Sequence, residues 1–303
     1  MKTKVTLIGA PTSAGAHAPG QERTPSALRS IGIVDRLQKA GLDVEDRNDI
    51  GCFRWRPDRQ NPLAQNLPDV LKAVRALSQQ VSEAISEESL CLILGGDCTI
   101  EIGTVSASLA MGHRIALIYF DMHADMNVPS SVSNGALDWM GVGHMLGCSG
   151  AEPALRDIGP RIPLLMPEEL TLFAHQLDQA TPFEVGEIAR LAPRIIPMER
   201  VAQDPRTAAL EALTRIPREV YAILVHFDVD VIDFVDAPLS ENTGRNIGLS
   251  LEEAFQALCV FLADERTRVL TITELNPDHG EENDVTLGRF ANGLVAAITG
   301  RHQ

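Results

Sequence analysis

Two short acidic stretches each follow an apolar run. Asp121-Met122-His123-Ala124-Asp125 comes directly after 115–120, and Asp228-Val229-Asp230-Val231-Ile232-Asp233 directly after 220–227. Alternation along a strand sends side chains i, i+2 and i+4 to one face. Each stretch therefore predicts a row of ligands projecting from the end of a buried strand. Asp121, Asp125, Asp228, Asp230 and His123 brought to one place would be unstable without a cation, because the carboxylates repel one another. A pair of divalent metals bridged by carboxylates removes that repulsion, and such pairs activate water for hydrolysis. Carboxylate oxygens with one or two nitrogens suit Mn²⁺ or Mg²⁺ better than tetrahedral Zn²⁺.

The elements that must position these rows are readable from pattern. Apolar runs at 5–9, 42–45, 90–94, 114–120, 220–227 and 268–273 predict strands. Helices are expected over 24–41, with Thr24 as N-cap and Pro25 in the first turn. Others are expected over 69–86, from Gly95-Gly96-Asp97 to about 111, over 205–215 and 250–264, and from about Asn283. The segment 51–68 reads as a loop, and 128–200 is rich in Pro and Gly, with strands that are hard to place. Apolar strands separated by helices indicate an α/β fold with a parallel sheet covered on both faces, here in a single domain spanning 1–303. Such sheets bind ligands at the carboxyl ends of their strands. Asp97, Asp121 to Asp125, Asp228 to Asp233 and Glu274 all fall at that edge.

Composition narrows the function classes. The chain has 303 residues, 45% hydrophobic and only 4% aromatic, which predicts a large and mostly aliphatic core. A net charge of -15 argues against nucleic acid and anionic membrane as partners. The five cysteines, Cys52, Cys91, Cys98, Cys148 and Cys259, have no CxxC spacing and read as thiols of a reduced, cytoplasmic protein. No secretory leader and no membrane-spanning stretch is expected.

Several motifs together resemble the ureohydrolase (arginase/agmatinase) family. They are Ile8-Gly9-Ala10-Pro11, Ala18-Pro19-Gly20, Pro25-Ser26-Ala27-Leu28-Arg29, Gly95-Gly96-Asp97, the two acidic stretches and Glu274-Leu275-Asn276-Pro277. The resemblance implies a three-layer α/β/α fold with an eight-stranded, mostly parallel sheet. It also implies two Mn²⁺ per subunit, hydrolysis of a guanidino, amidino or formimino group, and a homotrimer or homohexamer. Carried over residue by residue, Asp121 and Asp228 resemble bridging carboxylates, His123 and Asp230 complete one metal, and Asp125 binds the other. Glu274 is similar to the acid that holds the substrate guanidinium. Asn127 and Asn134 match substrate-contacting positions, and Asp233 matches a structural Asp.

Three departures bear on that resemblance. The family's Gly-Gly-Asp-His is Gly95-Gly96-Asp97-Cys98 here, so Cys98 is either a thiolate ligand or a small buried residue with one metal lost. A thiolate could shift preference away from Mn²⁺. Asp138 replaces a His that helps proton transfer, and an ordinary carboxyl pKa near 4 suits that task poorly at neutral pH. Ala136 replaces an Asn that contacts the amino-acid end of arginine. These changes put L-arginine in doubt as substrate. The expected activity is metal-dependent hydrolysis of a small guanidino compound, releasing urea or a urea-like product. The alternatives are a formimino-compound hydrolase or an inactive member with a regulatory role. His17, Trp55 with the arginines of 54–59, and Glu241-Asn242-Thr243 are candidate pocket residues; His144, His226 and Asp278-His279 read as packing or surface groups.

Overall fold

Strands β1 (Lys4–Gly9), β3 (Leu90–Leu94), β4 (Ile115–Phe120), β5 (Leu170–His175), β7 (Ala222–Asp228) and β8 (Thr267–Thr273) are apolar runs buried almost throughout. They are flanked by more polar edge strands, β2 (Asp43–Asp49) and β6 (Arg194–Pro197). The computed structural model describes residues 4–86, 89–281 and 284–300, so Asn283, where the last helix was expected to start, lies outside the described residues. All eight strands are parallel, in the order β2-β1-β3-β8-β7-β4-β5-β6.

Alternating side chains of these strands feed two cores, one on each face. On one face the helices Leu67–Ser86 and Glu101–Ala110 pack against Ile93, Tyr119 and Leu224. The first of them buries Val70, Val74, Leu77 and Val81, which helical spacing places on one side. On the other face the helices Ile33–Lys39, Pro205–Thr214, Leu251–Ala263 and Val285–Thr299 cover Leu94, Phe120 and Phe227. The result is a three-layer α/β/α sandwich. The core is mostly aliphatic, as composition predicts, and its few aromatics cluster. Phe120, Phe173, Phe227, Phe261 and Phe290 are fully buried and make a chain of ring contacts, with Phe120 and Phe227 just before the two acidic stretches. No described helix is long and apolar enough to cross a membrane.

Some local expectations need correction. The helix expected over 24–41 is two, Thr24–Ser30 and Ile33–Lys39, because Gly32 turns left-handed with φ 78° between them. Thr24 is not the N-cap: a 3₁₀ turn, Gln21–Arg23, runs straight into the helix, and the Thr24 hydroxyl instead donates to the Leu275 carbonyl at 2.5 Å. The middle region is more regular than its Pro and Gly content implied. It holds β5, β6 and the helix Pro182–Leu191. That helix starts with a capping box, Thr181 with Glu184.

Candidate metal centre

The four adjacent strands β3, β8, β7 and β4 occupy the middle of the sheet and deliver Cys98, Glu274, Asp228 to Asp230 and Asp121 to Asp125 to one edge. After β3 the chain must pass very close to its neighbours. A Cβ on Gly95 would collide with the carbonyl of Ile272, and one on Gly96 with that of Thr12, so only glycine fits. Asp97 then caps the 3₁₀ turn Cys98–Ile100, accepting from the Thr99 amide at 3.1 Å and the Gly15 amide at 3.0 Å.

The acidic rows converge, but not by strand alternation. β4 ends at Phe120 and β7 at Asp228. Beyond them each leading Asp folds the chain back on itself. Asp121 accepts from the His123 amide at 2.7 Å, and Asp228 accepts from the Asp230 amide at 2.7 Å. These side-chain-to-backbone turns replace the extended geometry the spacing predicts. Asp125 and Glu274 both have left-handed backbones, at φ 49° and 56°. Left-handed backbone at residues other than glycine costs about 1–3 kcal/mol each and persists where the surroundings fix it. The Glu274 amide donates to Gly96 O at 2.9 Å, and its carbonyl accepts from the Glu241 amide at 2.8 Å. Met126 donates its amide to the capping Glu184 at 3.1 Å, which ties the Asp125 turn to the helix after β5.

A cleft of about 450 Å³ opens over this edge. Cys98, Asp121, His123, Asp125, Asp228, Asp230 and Glu274 line its floor, with Asn134, Asp138, Glu241, Asn242, Thr243 and His17 around them. Asp121, Asp125 and Asp228 are at most 3% exposed. Their burial, and then the neighbouring carboxylates, push all three up from the ordinary carboxylate range, Asp125 and Asp228 well up. Asp230 is buried too, yet His123, with Nδ1 2.9 Å from Asp230 Oδ2, holds it down and is itself held well up. Asp121 Oδ2 and Asp230 Oδ1 are buried without any hydrogen-bond partner. Orphaned carboxylate oxygens in a packed acidic cluster fit divalent cations and fit little else. Two overlapping groups have their ligand atoms within 4.8 Å of one another: Cys98, Asp121, His226 and Asp228, and Asp121, His123 and Asp230.

Not every expected residue reaches the cleft. Asn127 is fully buried behind it, with its carbonyl oxygen accepting from Ser131 at 2.9 Å and Thr181 at 2.8 Å. It pins the loop rather than lining the cavity. Asn134 sits exposed at the rim, its side chain accepting from the Ala136 amide at 3.1 Å. Asp138 is in the wall, and burial, then Asp97 and Glu241, push it up to about 8. That direction brings the carboxyl closer to neutral pH than its ordinary value near 4. Asp233 accepts from the Val235, Ile247 and Gly248 amides and holds a loop. His144 is buried against Met140 O and pushed down to about 4, away from the site. Arg54 binds Glu22 at 2.7 Å, and neither it nor Trp55 lines the cleft.

Two residues were missed. Gln21 is fully buried and donates Nε2 to Glu274 Oε2 at 2.9 Å. His226 was read as packing, yet its Nε2 is 3.5 Å from Cys98 Sγ. The signal for it was available: β7 runs through Asp228, so His226 and Asp228 share a face.

The model of the arginase family matches residues 3–298. The chain belongs to the arginase family. As an arginase-family hydrolase it is an enzyme of the metal-dependent amidinohydrolase class. Arginase of Brevibacillus brevis is 26% identical over 304 residues, covering 99% of both chains. The native structure of Bacillus caldovelox arginase superposes with a TM-score of 0.83 at 26% identity, over 99% of this chain and 98% of that one. Formimidoylglutamase of Bacillus subtilis has a TM-score of 0.73 at 16% identity, over 99% of this chain and 87% of that one, a likeness of fold.

Proposed function

We propose that this chain is a binuclear-metal-dependent hydrolase of a guanidino compound with a cationic or neutral tail, releasing urea or a urea-like product. One observation carries the reading: seven carboxylates line the cleft, with neither lysine nor arginine among its lining residues. Two divalent ions would neutralise four of those charges. The remaining field favours a guanidinium and an amine, and disfavours the carboxylate of a free amino acid.

Two bound divalent ions would supply Lewis acidity and lower the pKa of the attacking water. Asp121, Asp228, Asp230 and His123, with Asp125 and Cys98, would hold them. Glu274 receives the guanidinium, oriented by Gln21 on Oε2 and by the Cys98 amide on Oε1 at 2.9 Å. Burial and the nearby Asp138 and Asp97 push Glu274 up when nothing cationic is bound, so a guanidinium is what would keep it ionised. Tyr119 donates its hydroxyl to one oxygen of Asp125, which leaves the other to bind a metal and to accept a hydrogen bond from the attacking water. Asp138 is suited to give its own proton to the departing amine, and the proton released by the attacking water would restore it through solvent. The reading is tested by incubating metal-loaded protein with agmatine-like amines, arginine, guanidino acids and formimino compounds, and measuring urea and formamide. Urea from the amines supports it. Formamide alone would move the substrate class, and two bound ions with no product from any of them would defeat it.

A further inference from the structure

Cys98 stands where the family resemblance expects an imidazole, but an imidazole is present from another strand. His226 lies in β7 two residues before Asp228, on the same face of that strand, and is fully buried. Its Nε2 is 3.5 Å from Cys98 Sγ, and Cys98 Sγ is 2.9 Å from Asp228 Oδ2. With Asp121 these side chains offer one sulfur, one nitrogen and two oxygens within 4.8 Å of one another.

The ring is held for this task from behind. Nδ1 of His226 is 3.3 Å from Oε2 of Glu101, a carboxylate that is itself fully buried. Thr104 donates its hydroxyl to the other oxygen of Glu101. A carboxylate accepting from Nδ1 fixes the tautomer in which Nε2 keeps its lone pair, and metal-binding histidines are commonly oriented this way. Tyr119 stacks on the imidazole at 4.0 Å with an interplanar angle of 6°, fixing its tilt. Thr273 Oγ1, 3.1 Å from Nε2, is the hydrogen-bond partner a metal would displace.

We propose that His226, oriented by Glu101, joins Cys98, Asp121 and Asp228 as a ligand of the inner metal position. This rests on the binuclear reading above. It makes the two positions chemically unlike. The inner one, with thiolate and imidazole, selects a borderline ion such as Zn²⁺ or Co²⁺. The outer one, with Asp121, His123 and Asp230, suits a harder ion such as Mn²⁺.

The test uses the full-length protein loaded with Co²⁺, with Zn²⁺, or with Zn²⁺ and Mn²⁺ together. Bound metal is measured by elemental analysis, and the sulfur-to-cobalt charge-transfer band by absorption. The wild type should bind two ions and show the band. His226→Phe, which keeps the stack on Tyr119, should bind one ion and lose the band. Glu101→Gln should weaken the inner ion about 10–100-fold, the usual effect of removing a carboxylate behind a ligating histidine. If His226→Phe fails to fold, X-ray absorption at the zinc edge of the mixed-metal wild type decides, since it should report one sulfur and one imidazole. Two ions and an undiminished band in His226→Phe, or a zinc shell without imidazole, would overturn the assignment of His226 alone. A wild type that binds no metal would instead remove the binuclear reading.

Discussion

The amide of Cys98 donates to Oε1 of Glu274 at 2.9 Å, joining the turn after β3 to the end of β8. The residue that departs from the family's histidine thus also orients, through its backbone, the acid proposed to grip the substrate. Glu274→Gln keeps an acceptor for that amide but loses the charge. Truncating one partner of a buried charge pair costs about 3–5 kcal/mol, so kcat/KM should fall by roughly 10²–10⁴-fold. Metal content should stay at the wild-type level. Near-normal turnover of a guanidino amine by the variant would show that Glu274 does not hold the guanidinium.

Asp121 belongs to both ligand groups, and Asp228 belongs to one of them while its Oδ1 accepts from the amide of Asp230, a member of the other. Asp121→Ala and Asp228→Ala should each empty both positions, as read by elemental analysis after dialysis. Chelation of the wild type should lower its Tm, because ligands that bind only the folded state stabilise it by linkage, by about 2.7 kcal/mol at a hundred times Kd. Full occupancy in either variant would show that these carboxylates do not bridge.

Asp138 gives a pH prediction. Its pKa in the fold, about 8, lies above the value of an unfolded aspartate. The folded chain therefore holds a proton that the unfolded chain releases near pH 4. Stability from that proton is complete below the unfolded pKa and is lost as pH rises through about 8. Asp138→Asn cannot lose it. In metal-free protein the variant should gain on the order of 1 kcal/mol, or roughly 2–4 °C in Tm, at about pH 9 relative to its gain at about pH 4. Thermal scans with equal shifts at both pH values would refute the assignment.

The charge of the cleft sets a substrate order. A guanidino amine should have kcat/KM at least about 10²-fold above a guanidino acid of equal length, since like charges brought together cost several kcal/mol. Urea release measured on such a pair decides it, and a preference for the acid would mean that the rim supplies a cation the lining residues do not.

We propose a homotrimer or homohexamer, as the family resemblance implies. Light scattering should give a homotrimer or homohexamer at micromolar concentration, and a monomer throughout that range would reject it.

Much of this was legible in the chain because the central strands are uninterrupted apolar runs, and each ends in the residues that do the chemistry. What the pattern could not carry was the path after the strand. The period-two spacing of Asp121, His123 and Asp125 suggested extension, whereas carboxylate-to-amide turns bring the groups together more tightly. β6 escaped notice because it is a four-residue edge strand with partly exposed residues. β5 was hidden by the Pro- and Gly-rich segment around it. His226 looked like packing because it does pack, against Tyr119; only the register of β7 with β4 and β8, Tyr119 to His226 to Thr271, brings it beside Cys98.

β8 lies between β3 and β7 in the sheet, although it is the last strand in the chain. During synthesis, β3 and β7, which lead to Cys98 and Asp228, are both made before the strand that seats between them. A nascent chain that stops short of Thr267 lacks the strand through which β3 and β7 are joined edge to edge, and it lacks Glu274 altogether. Such late, long-range closure slows folding. It also orders events: the pairing of Cys98 with Asp228 waits for the carboxyl-terminal strand, so the proposed inner position would be complete only in a chain whose sheet is already closed.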